Sequence, residues 1–133
     1  MPDPVEPFGL LLCDDLIFAS RITGTGRAQG LIIKQVRSQS ELETLARQQT
    51  PSCVLIDLAN AGLVITDLVH KLRACETSPY LVAFGSHVDA ATLNAARQAG
   101  CDLVLPRSKF VQELATALPR WFIQSQNQVT RTE

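Results

Sequence analysis

GLLLCDDLIF (residues 9–18) is an apolar run that stops in two adjacent carboxylates, Asp14 and Asp15, and then resumes. A run that is apolar at nearly every position, not every second one, suits a strand covered on both faces. Extended back to Phe8, it is the first of five: FGLLLC (8–13), LIIKQV (31–36), SCVLID (52–57), YLVAF (80–84) and DLVLP (102–106). Successive starts lie roughly 21 to 28 residues apart, too far for hairpins and suited to strand–helix–strand units. LIIKQV alternates more and carries Lys34, which fits a sheet edge.

The intervals between runs carry helical patterns. Leu16 to Gln29 is the first, so TGTGRAQG (23–30) reads as its end and not as a phosphate-binding loop. Ser40 and Glu43 have capping-box spacing and open a second helix that reaches about Gln49. Asp67 to Ala74, or from slightly earlier, is the third. Ala90 to Ala99 is the fourth, stopped by Gly100. Lys109 to about Ile123 is the fifth, with Pro119 ending or kinking it. Trp121 and Phe122 then pack on the core. These alternations predict one (βα)5 domain of the α/β class, with a doubly wound five-stranded parallel sheet. The expected layout is a short N-terminal extension (1–7), the domain (8–123) and a polar tail (124–133).

With 133 residues, 46% hydrophobic, the chain has enough apolar mass for a core of its own. Its 12 basic and 13 acidic residues leave a net charge of −1, which gives no electrostatic reason for nucleic-acid binding. No stretch reaches the ~18 apolar residues of a membrane span, and the N-terminus lacks the features of a signal peptide. Cys13, Cys53, Cys75 and Cys101 show no CxxC spacing and read as reduced thiols of a cytoplasmic protein.

Sites in open parallel sheets form at the carboxyl ends of the strands. Those ends carry Asp14 and Asp15, Asp57, Gly85-Ser86-His87 and Pro106-Arg107-Ser108. If strands 1 and 3 are neighbours, three carboxylates meet, and a hard cation such as Mg2+ would compensate their repulsion. Each aspartate also suits a helix cap. His87 suits a solvated loop and His70 a helix surface. Ser20 and Ser86 have no visible His/Asp partners, so nothing supports a hydrolase.

CDDLIFASRI, SCVLIDL and AARQAGCDLVL, in this order and spacing, resemble the response-regulator receiver domain over roughly residues 8–123. The resemblance implies a flavodoxin-like sheet of strand order 2-1-3-4-5. It implies a module of two-component phosphorelay signalling, with Asp57 accepting a phosphoryl group from a histidine kinase or phosphotransfer protein. Mg2+ would be held by Asp15, Asp57 and the carbonyl of Ala59, with Asp14 acting through a metal-bound water. Such a module is no enzyme beyond its own phosphorylation and dephosphorylation. It would act on a downstream effector protein, with no direct contact to nucleic acid or membrane. Two copies would pair through helix 4, strand 5 and helix 5.

The sequence departs from that pattern at three positions. Gly85 stands where receivers carry Thr or Ser, with Ser86 one residue late as a substitute. Arg107 stands in place of Lys, with Pro106 before it and not after. Val104 stands in place of the switch aromatic. A second reading follows, a phosphate-independent pseudo-receiver serving as a protein-interaction or dimerisation scaffold. A third is an α/β enzyme or small-ligand binder using the same strand-end pocket.

Overall fold

A computed structural model describes residues 7–130, with side chains described as far as residue 124. Residues 1–6 of the extension and 131–133 of the tail lie outside the described residues. The chain alternates β1 (Phe8–Leu12), α1 (Leu16–Ala28), β2 (Ile32–Val36), α2 (Gln39–Gln48), β3 (Cys53–Asp57), α3 (Ile65–Arg73), β4 (Tyr80–Gly85), α4 (Ala90–Ala99), β5 (Leu103–Pro106) and α5 (Arg107–Thr130). All strand pairs are parallel, in the order β2-β1-β3-β4-β5. β2 lies at an edge, as Lys34 suggests; its ammonium rests 5.3 Å from the centre of the Phe8 ring.

The unbroken apolar runs are explained by two cores, one on each face of the sheet. Leu10, Leu12, Val54, Ile56, Leu81 and Ala83 face α2, α3 and α4 through Leu42, Leu68, Leu72 and Leu93. Leu11, Cys13, Cys53, Leu55, Val82 and Phe84 face α1 and α5 through Ala19, Ile22, Phe110, Leu114 and Trp121. Each large side chain buried this way contributes about 1.5–3 kcal/mol. Gly9 is small for a reason: a Cβ there would lie 2.9 Å from the Phe122 ring. Trp121 and Phe122 are both core residues.

Two details differ from the sequence reading. α2 begins two residues earlier than its motif suggests. Ser38, not Ser40, is the N-cap, and its hydroxyl accepts from the Glu41 N–H at 3.3 Å. Glu43 is buried instead, bonded by Gln39 at 2.8 Å and Lys71 at 3.3 Å. SQSELE holds two overlapping S-x-x-E spacings, and burial of Glu43 between α2 and α3 selects the first.

α5 begins at Arg107 and runs through Pro119 to Thr130. Proline has no N–H to give the carbonyl four residues back. That carbonyl, of Ala115, accepts the Gln29 side-chain amide at 2.6 Å. The end of α1 thus supplies the bond that Pro119 removes. Gly30, at φ 77°, turns the chain out of α1 where a side chain would be strained. No helix among the described residues is long and apolar enough to cross a membrane.

Candidate functional site

Asp57 ends β3 and is only 3% exposed. The β1–β3 register pairs Leu12 with Ile56, so one step further brings Cys13 level with Asp57. The Cys13 thiol donates to Asp57 Oδ2 at 3.5 Å and lies 3.6 Å from the Asp15 carbonyl oxygen. Burial, chiefly, pushes the Cys13 thiol up to about 11, and the Asp57 carboxylate adds to the rise. The group is therefore a protonated donor at neutral pH, not a thiolate.

The remaining contacts of Asp57 come from the backbone and from α5. Oδ1 accepts the Ala59 N–H at 2.9 Å. Oδ2 also faces Arg107 Nη2 at 3.5 Å, an ion pair whose basic partner is 44% exposed along its side chain. The Arg107 guanidinium lies 4.2 Å from the centre of the Phe18 ring. Phe18 packs on Phe84, which stacks on Phe110 at 4.2 Å between centroids. A chain of rings from α1 through β4 to α5 thus supports the arginine.

A cleft of about 720 Å3 opens over this group. α1 contributes Phe18 and Arg21, the segment after β3 Ala59, the end of β4 Gly85, Ser86 and His87, and the start of α5 Arg107, Ser108 and Val111. Gly85 pairs with Pro106 across the β4–β5 register, which places Ser86 and Arg107 at one sheet end.

Asp14 and Asp15 are both exposed and line none of it. Asp15 is the N-cap of α1, its Oδ1 accepting from the Phe18 N–H at 3.1 Å. Ala59 meets Asp57 through its N–H. Among the described residues, no three His, Cys, Asp or Glu side chains are gathered to hold a metal ion. His70 lies on exposed α3 surface, away from the cleft.

Solved structures share this architecture. The receiver domain of sensor histidine kinase PA1611 from Pseudomonas aeruginosa PAO1, with a magnesium ion coordinated in its active-site cleft, superposes at TM-score 0.74. It is 21% identical, over 89% of this chain and 98% of that one. The receiver domain of NtrX from Brucella abortus matches at TM-score 0.73 and 15% identity, over 86% of this chain and 97% of that one. The fold is that of a response-regulator receiver domain. No protein-family model matches the sequence, and no curated protein matches it at a significant level.

The magnesium donors that the resemblance implies are Asp15, Asp57 and the Ala59 carbonyl, with Asp14 acting through a water. A hard cation needs oxygen ligands; the side chain level with Asp57, just past β1, is the Cys13 thiol. The Arg107 guanidinium lies 3.5 Å from Oδ2, and Asp15 uses Oδ1 for the α1 cap. Gly85 brings no hydroxyl; a Cβ there would meet Leu58 at 3.3 Å. Ser86 does line the cleft, as does Arg107. Val104 is buried in the α2–α3–α4 core and lines no part of the cleft.

The sequence reading missed Cys13, Phe18 and Arg21. Only strand parity could have singled out Cys13, and β1 is apolar on both faces, so its residues carry no parity signal. Phe18 and Arg21, at i and i+3 on α1, share a helix face; nothing in the sequence marked that face as a cleft wall.

Proposed function

We propose that the chain is a receiver-type signalling module that acts through contacts with a downstream effector protein and carries no phosphoryl group on Asp57. The Cys13–Asp57–Arg107 cluster carries this reading. A carboxylate attacks phosphorus only when the charge on the transferred group is neutralised and the partners are positioned, which Mg2+ does in phosphoryl transfer. Here Asp57 instead receives a thiol, a backbone N–H and a guanidinium, enough to keep a buried carboxylate satisfied as a structural group. The absent hydroxyl at Gly85 and ring at Val104 agree with a module that has no phosphate-driven readout. Four free thiols suit a reducing compartment such as the cytoplasm.

The second reading keeps Asp57 as phosphoacceptor for a histidine kinase with Mg2+, and rests on its place at the end of β3. Calorimetric titration with Mg2+ separates the two. The proposal expects no binding heat at millimolar Mg2+. Saturable binding that disappears in Asp57→Ala would favour the phosphoacceptor.

A further inference from the structure

The side chains that line the cleft over Asp57 include two arginines, Arg21 and Arg107, and one carboxylate. We propose that the cleft binds, without covalent chemistry, a small monocarboxylate with an apolar body; this rests on the reading that Asp57 carries no phosphoryl group. Arg21 and Arg107 take the carboxylate, and Phe18 and Val111 receive the body.

The volume of about 720 Å3 suits a small organic molecule, and the mixture of apolar walls with a few convergent polar groups is that of a ligand site. The guanidinium of Arg107 has five N–H donors; the hydrogen bond to Asp57 uses one nitrogen, at the long distance of 3.5 Å. Its contact with Phe18, 4.2 Å from the ring centre, restrains the planar fork before any ligand arrives, which lowers the entropy lost on binding. Arg21 lines the same cleft, is exposed and forms no ion pair among the described residues. Among the side chains that line the cleft, two guanidinium groups against one carboxylate leave a single positive charge, with Asp14 and Asp15 outside the lining. A monocarboxylate matches it. A phosphate dianion would leave excess negative charge beside Asp57.

The test is a titration of 15N-labelled protein, without Mg2+ or phosphodonor, followed by amide chemical shifts. Three probes are used: phenylacetate, neutral phenylacetamide and inorganic phosphate. Phenylacetate is expected to shift amides at residues 57–59, 85–87 and 107–111 saturably, with a dissociation constant on the order of 1–10 mM for so small a molecule. Phenylacetamide and phosphate are expected to bind at least about ten-fold more weakly, as is phenylacetate to Arg21→Gln. Arg21 is a surface residue, so that variant keeps the fold. No saturable shift would overturn the site. Equal binding of the amide, or full affinity in Arg21→Gln, would overturn the ion pair. Equal binding of phosphate would overturn the carboxylate class. A phosphorylated Asp57, read separately by mass, would overturn the functional reading without imitating any of these outcomes.

Discussion

Cys13 Sγ lies 3.5 Å from Asp57 Oδ2, so the side chain that meets this buried carboxylate from the end of β1 is a thiol donor. The contact follows from register, since Leu12 opposite Ile56 leaves Cys13 opposite Asp57. The thiol therefore spares Asp57 a like-charged side chain at this contact.

Cys13→Asp tests that statement directly. Two carboxylates side by side in a buried position repel, and the variant is expected to lose about 1–3 kcal/mol without divalent cations. Mg2+ should then restore it: at ten times its dissociation constant a ligand adds about 1.4 kcal/mol, a rise of a few degrees in Tm. The wild type should melt at the same temperature with and without Mg2+. Thermal scans of both proteins check this, and a wild type that Mg2+ stabilises equally would refute it.

Gln29 and Pro119 should be coupled. Gln29→Ala leaves the Ala115 carbonyl without its 2.6 Å partner, at a cost of about 0.5–1 kcal/mol. Pro119→Ala restores a helical N–H for that carbonyl, so the same Gln29→Ala change should then cost close to nothing. A double-mutant cycle by denaturant unfolding reads the difference. Purely additive effects would mean that Gln29 acts elsewhere.

The first turn of α2 offers a paired comparison. Ser38→Ala should cost about 1 kcal/mol, the usual price of a lost N-cap, while Ser40→Ala should stay within about 0.5 kcal/mol. The reverse ranking would place the helix start two residues later.

Thiol reactivity should report burial and set an alkaline limit to stability. Burial pushes Cys13 and Cys101 up to about 11 and raises Cys53 as well. At pH 8 a thiol reagent should label the partly exposed Cys75 first, and all four only in denaturant. A raised folded-state value means that the folded chain holds the thiol proton more tightly. The associated stability is complete below the ordinary thiol value of 9.0 and is lost as pH rises through about 11. Urea midpoints measured from pH 8 to pH 11 should fall, and a flat profile would contradict the assignment.

The sequence carried the fold well because burial on both faces leaves a plain mark. Every expected strand lies within one or two residues of its run, and Gly100 stops α4 with φ 109°. The same property obscured the site. In LLLC no polar residue marks which side faces which helix layer, so Asp14 and Cys13 could not be told apart as the neighbour of Asp57. Asp15 was open to both a cap and a ligand role, and the geometry shows the cap. α5 outran its expected end because the side chain of Gln29, the residue after α1 and distant in sequence, replaces the hydrogen bond that Pro119 lacks. Local patterns could not report that contact.

The central claim is that Asp57 holds no phosphoryl group, and intact-protein mass spectrometry after incubation with acetyl phosphate and Mg2+ tests it most directly, with Asp57→Ala alongside. The account predicts one unmodified mass for both proteins. A labile gain of one phosphoryl group in the wild type, absent from Asp57→Ala, would contradict it.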